Sequence, residues 1–408
     1  MDQTAPALAT TDLPPPDVVL AAVGDVFLDR PDPGRAFTAV DHFLRDADIA
    51  FGNSEGVYAR EPDRAPSAGV AIVGPPESAA PLGPAGFTVM SLANNHIGDG
   101  GPRALLENID LLAQQGIAVA GAGRDQARAH APAVLERSGV SVAVLAYSST
   151  FPSGYEARAE VPGLAPLRSH NLYRPYEHGE WSPGLLPQVV TVPHEQDHAR
   201  LLSDIDKART AADVVVVSVH AGDFTRPFVL TDHERRTARL AIDAGADVVL
   251  GHHHHLLRGI EFYRGKPILY GLGHFAFDLP DLDRRLRAEG YLGESSPEDS
   301  LAARRRAGDY RLWPQPGYPL LPFHPDARMT MIAVLRLSPG RPTAVGMIPC
   351  TIAPDGRPEP HLPSDADGAR VLGYLARCCE EEDLAVRIRP DGWGQLAGHP
   401  VALVEATA

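Results

Sequence analysis

The stretch "LGHHHHLLRGIEFYRGKPILYGLGHFAFD" (residues 250–278) decides the fold, because it places histidines just behind two strand-like runs. Four consecutive histidines, His252 to His255, follow the apolar run "GADVVL", which is typical of a buried strand. A fifth histidine, His274, ends the second run, "KPILYGLGH". Imidazoles beside a core need partners, and a divalent metal ion is a frequent one. The stretch therefore predicts a metal site at the ends of strands.

The same arrangement of an apolar run followed by polar side chains recurs along the chain from residue 18 onward. The polar side chains behind these runs are Asp25, Asn53, Glu55, Asn94, Asn95, His96, His220, His252 to His255 and His274. Helical periodicity fills residues 101–116 and 231–245, between the runs, and this alternation favours a layered α/β fold. Because ligands of α/β sheets lie beyond the carboxyl ends of the strands, we expect these polar groups to meet at one place.

Composition narrows the classes of function. The chain has 408 residues, of which 44% are hydrophobic and 22% charged, ordinary values for a globular protein. A formal net charge of −15 argues against a nucleic-acid or anionic-membrane partner, since such binding depends on basic patches. No apolar run approaches the ~18 residues of a membrane span. Because the N-terminal residues form no basic, apolar signal peptide and the three cysteines make a poor disulfide framework, we expect a cytoplasmic protein. The sequence does not indicate an oligomeric state.

Local composition predicts four segments. Residues 1–17, ending in "LPPPD", are expected to form a disordered leader, and residues 18–278 the catalytic domain. Residues 279–328 lack periodicity but are rich in arginine and aromatic residues, which favours a lid over a substrate. Residues 329–408 are predicted to be a β–α extension packed on the catalytic domain.

Six motifs in order carry a family resemblance. They are "VGDVFLDR", "ADIAFGNSEG", "SLANNHIGDGG", "GIAVAGAGRD", "VVVVSVHAGDF" and "AIDAGADVVLGHHHH" with its continuation "GKPILYGLGHFAFD". In this order they resemble the CapA-type poly-γ-glutamate (capsule) biosynthesis family, which is similar in fold to the calcineurin-like metallophosphoesterases. The resemblance implies an α/β fold: a metallophosphoesterase-like sandwich of two sheets flanked by helices, with the site at the carboxyl ends of strands.

The resemblance also implies which residues bind metal. Asp25 matches the aspartate of the Asp-x-His motif, and Glu55 matches the acidic residue that bridges two metals in the relatives. In the Asn-His pair, Asn95 would bind metal while His96 faces the substrate. The ligands implied are Asp25, Glu55, Asn95, His220, His253 and His255. The cofactor is then a divalent ion, with Mn, Zn, Fe, Co, Ni and Ca not distinguished by the sequence, and no other cofactor is indicated.

Three positions depart from the family pattern. Phe27 stands where the Asp-x-His motif has its histidine, His254 where proline is common, and His274 where asparagine is common. With Phe27 in place of a ligand, we expect one firmly bound ion, held by the set Glu55, Asn95, His220 and His253. Asp25, His255 and His274 would border the vacated position. We expect His254 to face solvent, and the histidines without motif context to lie at the surface: His42, His130, His170, His178, His194 and His198.

Three functions compete. The departures favour a metal-dependent tailoring enzyme, best described as a Cα epimerase of a ribosomally made, lasso-type peptide, because some soluble proteins that resemble this family have that activity. Asp25 and His274 would be its acid/base pair, with His96 as a further catalytic residue. The substrate would be a peptide or another carboxylate-bearing molecule. The alternatives are a metal-dependent hydrolase of phosphoesters or γ-glutamyl amides, and a CapA-like protein of poly-γ-glutamate biosynthesis or binding.

Overall fold

The structure, a computed structural model, describes residues 17–66, 69–174, 187–288 and 315–407. All but the last residue of the predicted leader lies outside these ranges, as does the central part of the predicted lid, residues 289–314. The strands are β1 (Val18–Phe27), β2 (Ile49–Ser54), β3 (Val57–Tyr58), β4 (Val73–Gly74), β5 (Val89–Ser91), β6 (Ala118–Ala120), β7 (Ala122–Gly123), β8 (Ala133–Arg137), β9 (Val140–Ser148), β10 (Gly163–Leu164), β11 (Ser169–Arg174), β12 (Gln188–Pro193), β13 (Val214–His220), β14 (Val248–His252), β15 (Ile260–Tyr263), β16 (Lys266–Leu269), β17 (His274–Phe277), β18 (Met329–Leu337), β19 (Ala344–Ile352), β20 (Pro358–Pro360), β21 (Val386–Leu396) and β22 (His399–Ala406). The α-helices are α1 (Asp41–Asp46), α2 (Leu82–Ala85), α3 (Gly101–Gln114), α4 (Gln126–Ala129), α5 (Glu195–Ala211), α6 (Asp232–Ala244), α7 (Leu282–Ala288) and α8 (Ala366–Glu380).

Two large sheets form the frame of the molecule. The first runs β21-β22-β19-β18-β1-β2-β5-β6, with β17 also paired to β1 and β20 to β19. The second runs β15-β16-β14-β13-β9-β8. Their parallel centres, β1-β2-β5-β6 in one sheet and β9-β13-β14-β16 in the other, bring the predicted polar groups to strand carboxyl ends. The predicted two-sheet, metallophosphoesterase-like sandwich is confirmed.

The hydrophobic core lies in three layers. One apolar cluster joins the facing sides of the two sheets, with Leu20 of β1 and Val216 of β13 among its members. A second cluster packs α1 and α3 on the outer face of the first sheet, and a third packs α5 and α6 on the outer face of the second. Sheets covered on both faces need strands that are apolar throughout, which is why β13 reads "VVVVSVH" and is buried along its whole length.

Strand β1 changes its neighbour midway. Along residues 18–22 it pairs antiparallel with β18, whereas from Asp25 onward β17 lies parallel on that side. The two backbones approach so closely that a Cβ atom on Gly24 would lie 1.8 Å from the carbonyl oxygen of Gly273. Glycine at position 24 is therefore required for β17 to reach β1, and this exchange places His274 in register with Asp25.

The C-terminal segment contributes to the main sheet. Strands β18 to β22 belong to the first sheet, and α8 buries Val371 and Leu375 in the cluster between the sheets. The predicted β–α content of residues 329–408 is thus present, while the division of the chain into four segments remains a prediction. Among the described residues, no helix combines the length and apolar character that crossing a bilayer requires.

Candidate metal centre

Four side chains that the sequence predicts as ligands converge around one nitrogen atom, Nε2 of His220. It lies 2.7 Å from Oδ1 of Asn95, 3.1 Å from Nδ1 of His253 and 3.7 Å from Oε1 of Glu55. Glu55, His220 and His253 can each offer one ligand atom within 4.8 Å of the others. We call these three residues, with Asn95, the first ligand group. Imidazole nitrogens with carboxylate and amide oxygens suit a borderline divalent ion.

The positions of these residues follow from the sheets. Glu55 comes directly after β2, Asn95 lies in the turn after β5, and His220 is the last residue of β13. His253 follows β14, whose His252 is in register with His220. Strands from both sheets therefore end around the same point, and each motif contributes one donor there.

The carboxylate of Glu55 is the clearest sign that a cation belongs here. Glu55 is fully buried, and neither carboxylate oxygen has a hydrogen-bond partner among the described residues. Burial, reinforced by the charge of Asp25, raises the pKa of Glu55 well above its usual value. A buried polar group without a partner is costly, and a bound divalent ion would satisfy both oxygens. The residues present thus fit the metal that the family resemblance implies.

A second set of donors lies beside the first. Nδ1 of His255 is 3.2 Å from Oδ2 of Asp25 and 2.7 Å from Nε2 of His274. These three residues also offer ligand atoms within 4.8 Å of one another, and we call them the second ligand group. Glu55 lies between the groups, since its Oε1 is 3.7 Å from Nε2 of His220 and 3.8 Å from Nε2 of His255.

Burial sets the protonation of both groups. It lowers the pKa of His220, His253 and His274 well below the ordinary histidine value, so these rings are neutral and keep a lone pair for a metal. Burial alone would raise the pKa of Asp25, but the neighbouring imidazoles of His252 and His255 outweigh it and hold this pKa well below its usual value. Asp25 is therefore an anion beside the neutral ring of His274.

The expectation that His254 faces solvent is wrong. His254 is buried, and its Nε2 lies 2.5 Å from Oε1 of Glu234 in the first turn of α6. Glycine at position 222 makes room for this pair, because a Cβ there would lie 2.2 Å from Nε2 of His254. On either side of His254, the residues His253 and His255 have φ values of 100° and 58°, a conformation that non-glycine residues rarely adopt. The His254–Glu234 pair fixes the strained turn that carries one ligand of each group.

His96 occupies the open side of the centre. Its side chain is 16% exposed, and its Nδ1 lies 2.8 Å from Oδ2 of Asp99. Asp99 is buried and also accepts hydrogen bonds from the Tyr155 hydroxyl, at 2.7 Å, and from the backbone of Ile72. Sequence reasoning missed Asp99 and Tyr155; the signal for Asp99 was its position three residues after His96 in "NNHIGD". Tyr155 and Gly98 line a cavity of about 540 Å³, whose lining does not include His96 or the ligand residues.

Other predicted polar residues have structural roles. Asn94 donates hydrogen bonds to Oδ1 of Asn53 and to the carbonyl of Ser54, so it secures the turn. His252 is buried, with Nδ1 3.4 Å from Oδ1 of Asp25. Two histidines expected at the surface are buried instead: His130, bonded to Asp204, and His198. Their partners lie on α5 or on neighbouring elements, which local sequence could not reveal. His178 lies outside the described residues.

Comparison with known proteins agrees with the fold. A family model described as "Bacterial capsule synthesis protein PGA_cap" matches residues 19–279. The chain is 31% identical over 319 residues to the uncharacterized protein y4sH of Sinorhizobium fredii, covering 67% of this chain and 68% of that protein. It is 29% identical over 277 residues to the PGA biosynthesis protein CapA of Bacillus subtilis, covering 64% of each. It is 28% identical over 251 residues to the capsule biosynthesis protein CapA of Bacillus anthracis, covering 59% of this chain and 53% of that protein.

Proposed function

From the premise that the chain belongs to the bacterial capsule synthesis family PGA_cap, we propose that it is a metal-dependent hydrolase of γ-glutamyl amide bonds in an anionic polymer. The observation that carries the proposal is the first ligand group, where Glu55 lies buried and unpaired beside His220 and His253. The names of two relatives, a PGA biosynthesis protein and a capsule biosynthesis protein, support the substrate class.

The residues of the chain divide the work of such a reaction. Glu55, Asn95, His220 and His253 would hold a divalent ion, which supplies Lewis-acid chemistry by polarising the oxygen of the scissile group. His96 is held through Nδ1 by Asp99, so Nε2 is the ring atom that can exchange a proton with the leaving nitrogen. Asp99 fixes the orientation of this ring, and Tyr155 fixes Asp99.

The cavity lined by Gly98 and Tyr155 has room for a polymer segment, and its Tyr155 is bonded to Asp99, which holds His96. Its lining is mixed, with the charged Asp63 and Arg64, the polar Ser153 and Tyr155, and the apolar Ala65, Pro102 and Leu105. The Arg64 guanidinium also donates to the carbonyl of Gly69 at 2.9 Å.

The test incubates metal-loaded protein with poly-γ-glutamate and follows newly released amines and polymer length. Metal-dependent shortening that chelation abolishes would support the proposal, and His96→Gln should remove turnover while keeping the metal. Turnover of bis(p-nitrophenyl) phosphate alone would reassign the substrate to phosphoesters. Tight binding of the polymer without shortening would instead favour a non-catalytic role in polymer synthesis.

Peptide epimerisation is a second candidate because Asp25 and His274 are direct register partners, linked through His255. An acid/base pair would have to reach a Cα–H from opposite sides. Both side chains are buried, at 1% and 0% exposure, so a substrate must enter between them or displace neighbouring rings. Incubation of lasso-type peptides in D₂O, with deuterium at Cα followed by mass spectrometry, distinguishes this activity from hydrolysis.

A further inference from the structure

Phe27 leaves the second ligand group one histidine short of the pattern that the resemblance implies. Its ring is buried and stacks on Tyr58, with 5.0 Å between the ring centroids. A Cβ on Gly56 would lie 2.3 Å from this ring, so the local backbone is shaped around the phenylalanine. Position 27 therefore belongs to the hydrophobic core and offers no donor.

His274 brings an imidazole to the same place from a different strand. Strand β17 joins β1 only from Asp25 onward, and the backbone N–H of Asp25 donates to the carbonyl of Gly273. His274 is consequently the register partner of Asp25, with its Nε2 2.7 Å from Nδ1 of His255. An imidazole is thus present beside Asp25 although its sequence position is 247 residues from Phe27.

Hydrogen bonding alone leaves this cluster incompletely satisfied. Nδ1 of His255 faces both the Asp25 carboxylate and Nε2 of His274, yet one ring nitrogen carries at most one proton. Nδ1 of His274 has no partner among the described residues. The surroundings are aromatic, since the His274 ring stacks on Phe277 at 4.8 Å and meets Phe323 at 4.6 Å. Oδ2 of Asp25 and the facing ring nitrogens of His255 and His274 therefore converge beside aromatic walls, while Oδ1 of Asp25 accepts a hydrogen bond from the Asn53 amide at 2.9 Å.

We propose that His274 is a metal ligand that compensates for Phe27, so that Asp25, His255 and His274 form a second divalent-cation position next to the first ligand group. One carboxylate and two imidazoles suit Mn, Zn, Fe, Co or Ni better than Ca. The proposal rests on the metal centre of the proposed function and assigns His274 to metal binding instead of proton transfer. Apolar walls hold the ring in place, as is expected for a ligand position that must be rigid.

The test measures metal stoichiometry, which does not depend on activity. Protein reconstituted with Mn²⁺ or Zn²⁺ and freed of excess metal is expected to hold two equivalents by elemental analysis. His274→Asn, which restores the residue common in the family, is expected to hold one. His42→Asn changes a histidine whose side chain is 47% exposed and should still hold two.

A second measurement uses only the unaltered protein, in case His274→Asn folds poorly. With two Mn²⁺ ions in adjacent groups, electron paramagnetic resonance should show spin coupling between them. One uncoupled equivalent in the unaltered protein, or two equivalents retained by folded His274→Asn, would overturn the role of His274 while leaving the first ligand group intact. No bound metal at all would overturn the proposed function as well.

Discussion

The two ligand groups share a turn but differ in what surrounds them. The first group lies among polar side chains, with Asn95 2.7 Å from His220 and the Asn53 amide 3.4 Å from its other ring nitrogen. In the second group the same Asn53 amide donates to Asp25 at 2.9 Å, but the rings of Phe277 and Phe323 cover His255 and His274. Every donor of the first group follows a motif strand, whereas the second takes His274 from a strand that reaches the site by replacing β18 beside β1. The proposed second ion would thus take from a neighbouring strand the ligand that is missing at Phe27.

The largest effect is expected from the residue between the groups. Glu55→Gln removes the one carboxylate in the described part of the chain that approaches histidines of both groups, so we expect it to abolish most metal binding and activity. His253→Ala should empty the first group alone. Elemental analysis distinguishes the two outcomes, and Glu77→Gln, at a side chain that is 71% exposed, is the matched control. A Glu55→Gln protein with its full metal content would show that the groups are independent of this carboxylate.

The next effect separates proton transfer from metal binding. His96→Gln should lower the hydrolytic rate by ~10²–10⁴-fold without changing metal content in either group. Asp99→Asn should approach that loss and alter the pH profile of the rate, because Asp99 acts by orienting His96. Tyr155→Phe removes one hydrogen bond to Asp99 and should cost less than either. Equal rates in Asp99→Asn and the unaltered protein would contradict this role.

A smaller effect concerns the turn shared by the groups. His254→Ala and Glu234→Gln break the buried pair that fixes His253 and His255, and we expect each to weaken metal binding by ~10–100-fold. His254→Pro, which installs the residue common in the family, should retain more metal than His254→Ala because proline stiffens the turn. Titration with a chelator measures the affinities. Unchanged affinity in folded His254→Ala would restrict the pair to a packing role.

The smallest expected effect is the pH dependence of stability that comes from His233, which belongs to neither ligand group. Burial lowers the pKa of His233 to about 4, whereas an unfolded histidine has a pKa of about 6.5. Above pH 6.5 His233 is neutral in both the folded and the unfolded state. Between pH 6.5 and pH 4 it binds a proton in the unfolded state but stays neutral in the folded state. His233 should therefore contribute about 1–2 kcal/mol to the fall in the free energy of unfolding between pH 7 and pH 5, in addition to the fall caused by the buried His220, His253 and His274. Urea unfolding of metal-free protein at a series of pH values measures this change. His233→Gln should reduce the dependence of the free energy of unfolding on pH, and an unchanged dependence in that variant would assign it to other groups.

The fold and the first ligand group could be predicted because both depend on local pattern. Apolar runs such as "VVVVSVH" predict buried parallel strands, and parallel strands bring the residues behind them to one edge. Glu55, Asn95 and His220 each follow such a run, so their meeting required no knowledge of side-chain packing. The predicted two-sheet sandwich is confirmed for the same reason. The sequence predicted a single ion because it identified only one complete set of donors, and the proposed role of His274 replaces that expectation with two ions.

Contacts between distant segments were decided only by the tertiary structure. Whether His254 is exposed depends on Glu234, which reaches it from α6 through the space left by Gly222. The place of His274 depends on which strand lies beside β1 at Asp25, a choice made by the close approach of Gly24 and Gly273. The sequence by itself determined the residue types and their order behind the strands, because strand burial and alternation are local properties. The replacement of β18 by β17 beside β1 and the buried His254–Glu234 pair depend on packing between residues far apart in the chain. The local sequence pattern does not predict such packing.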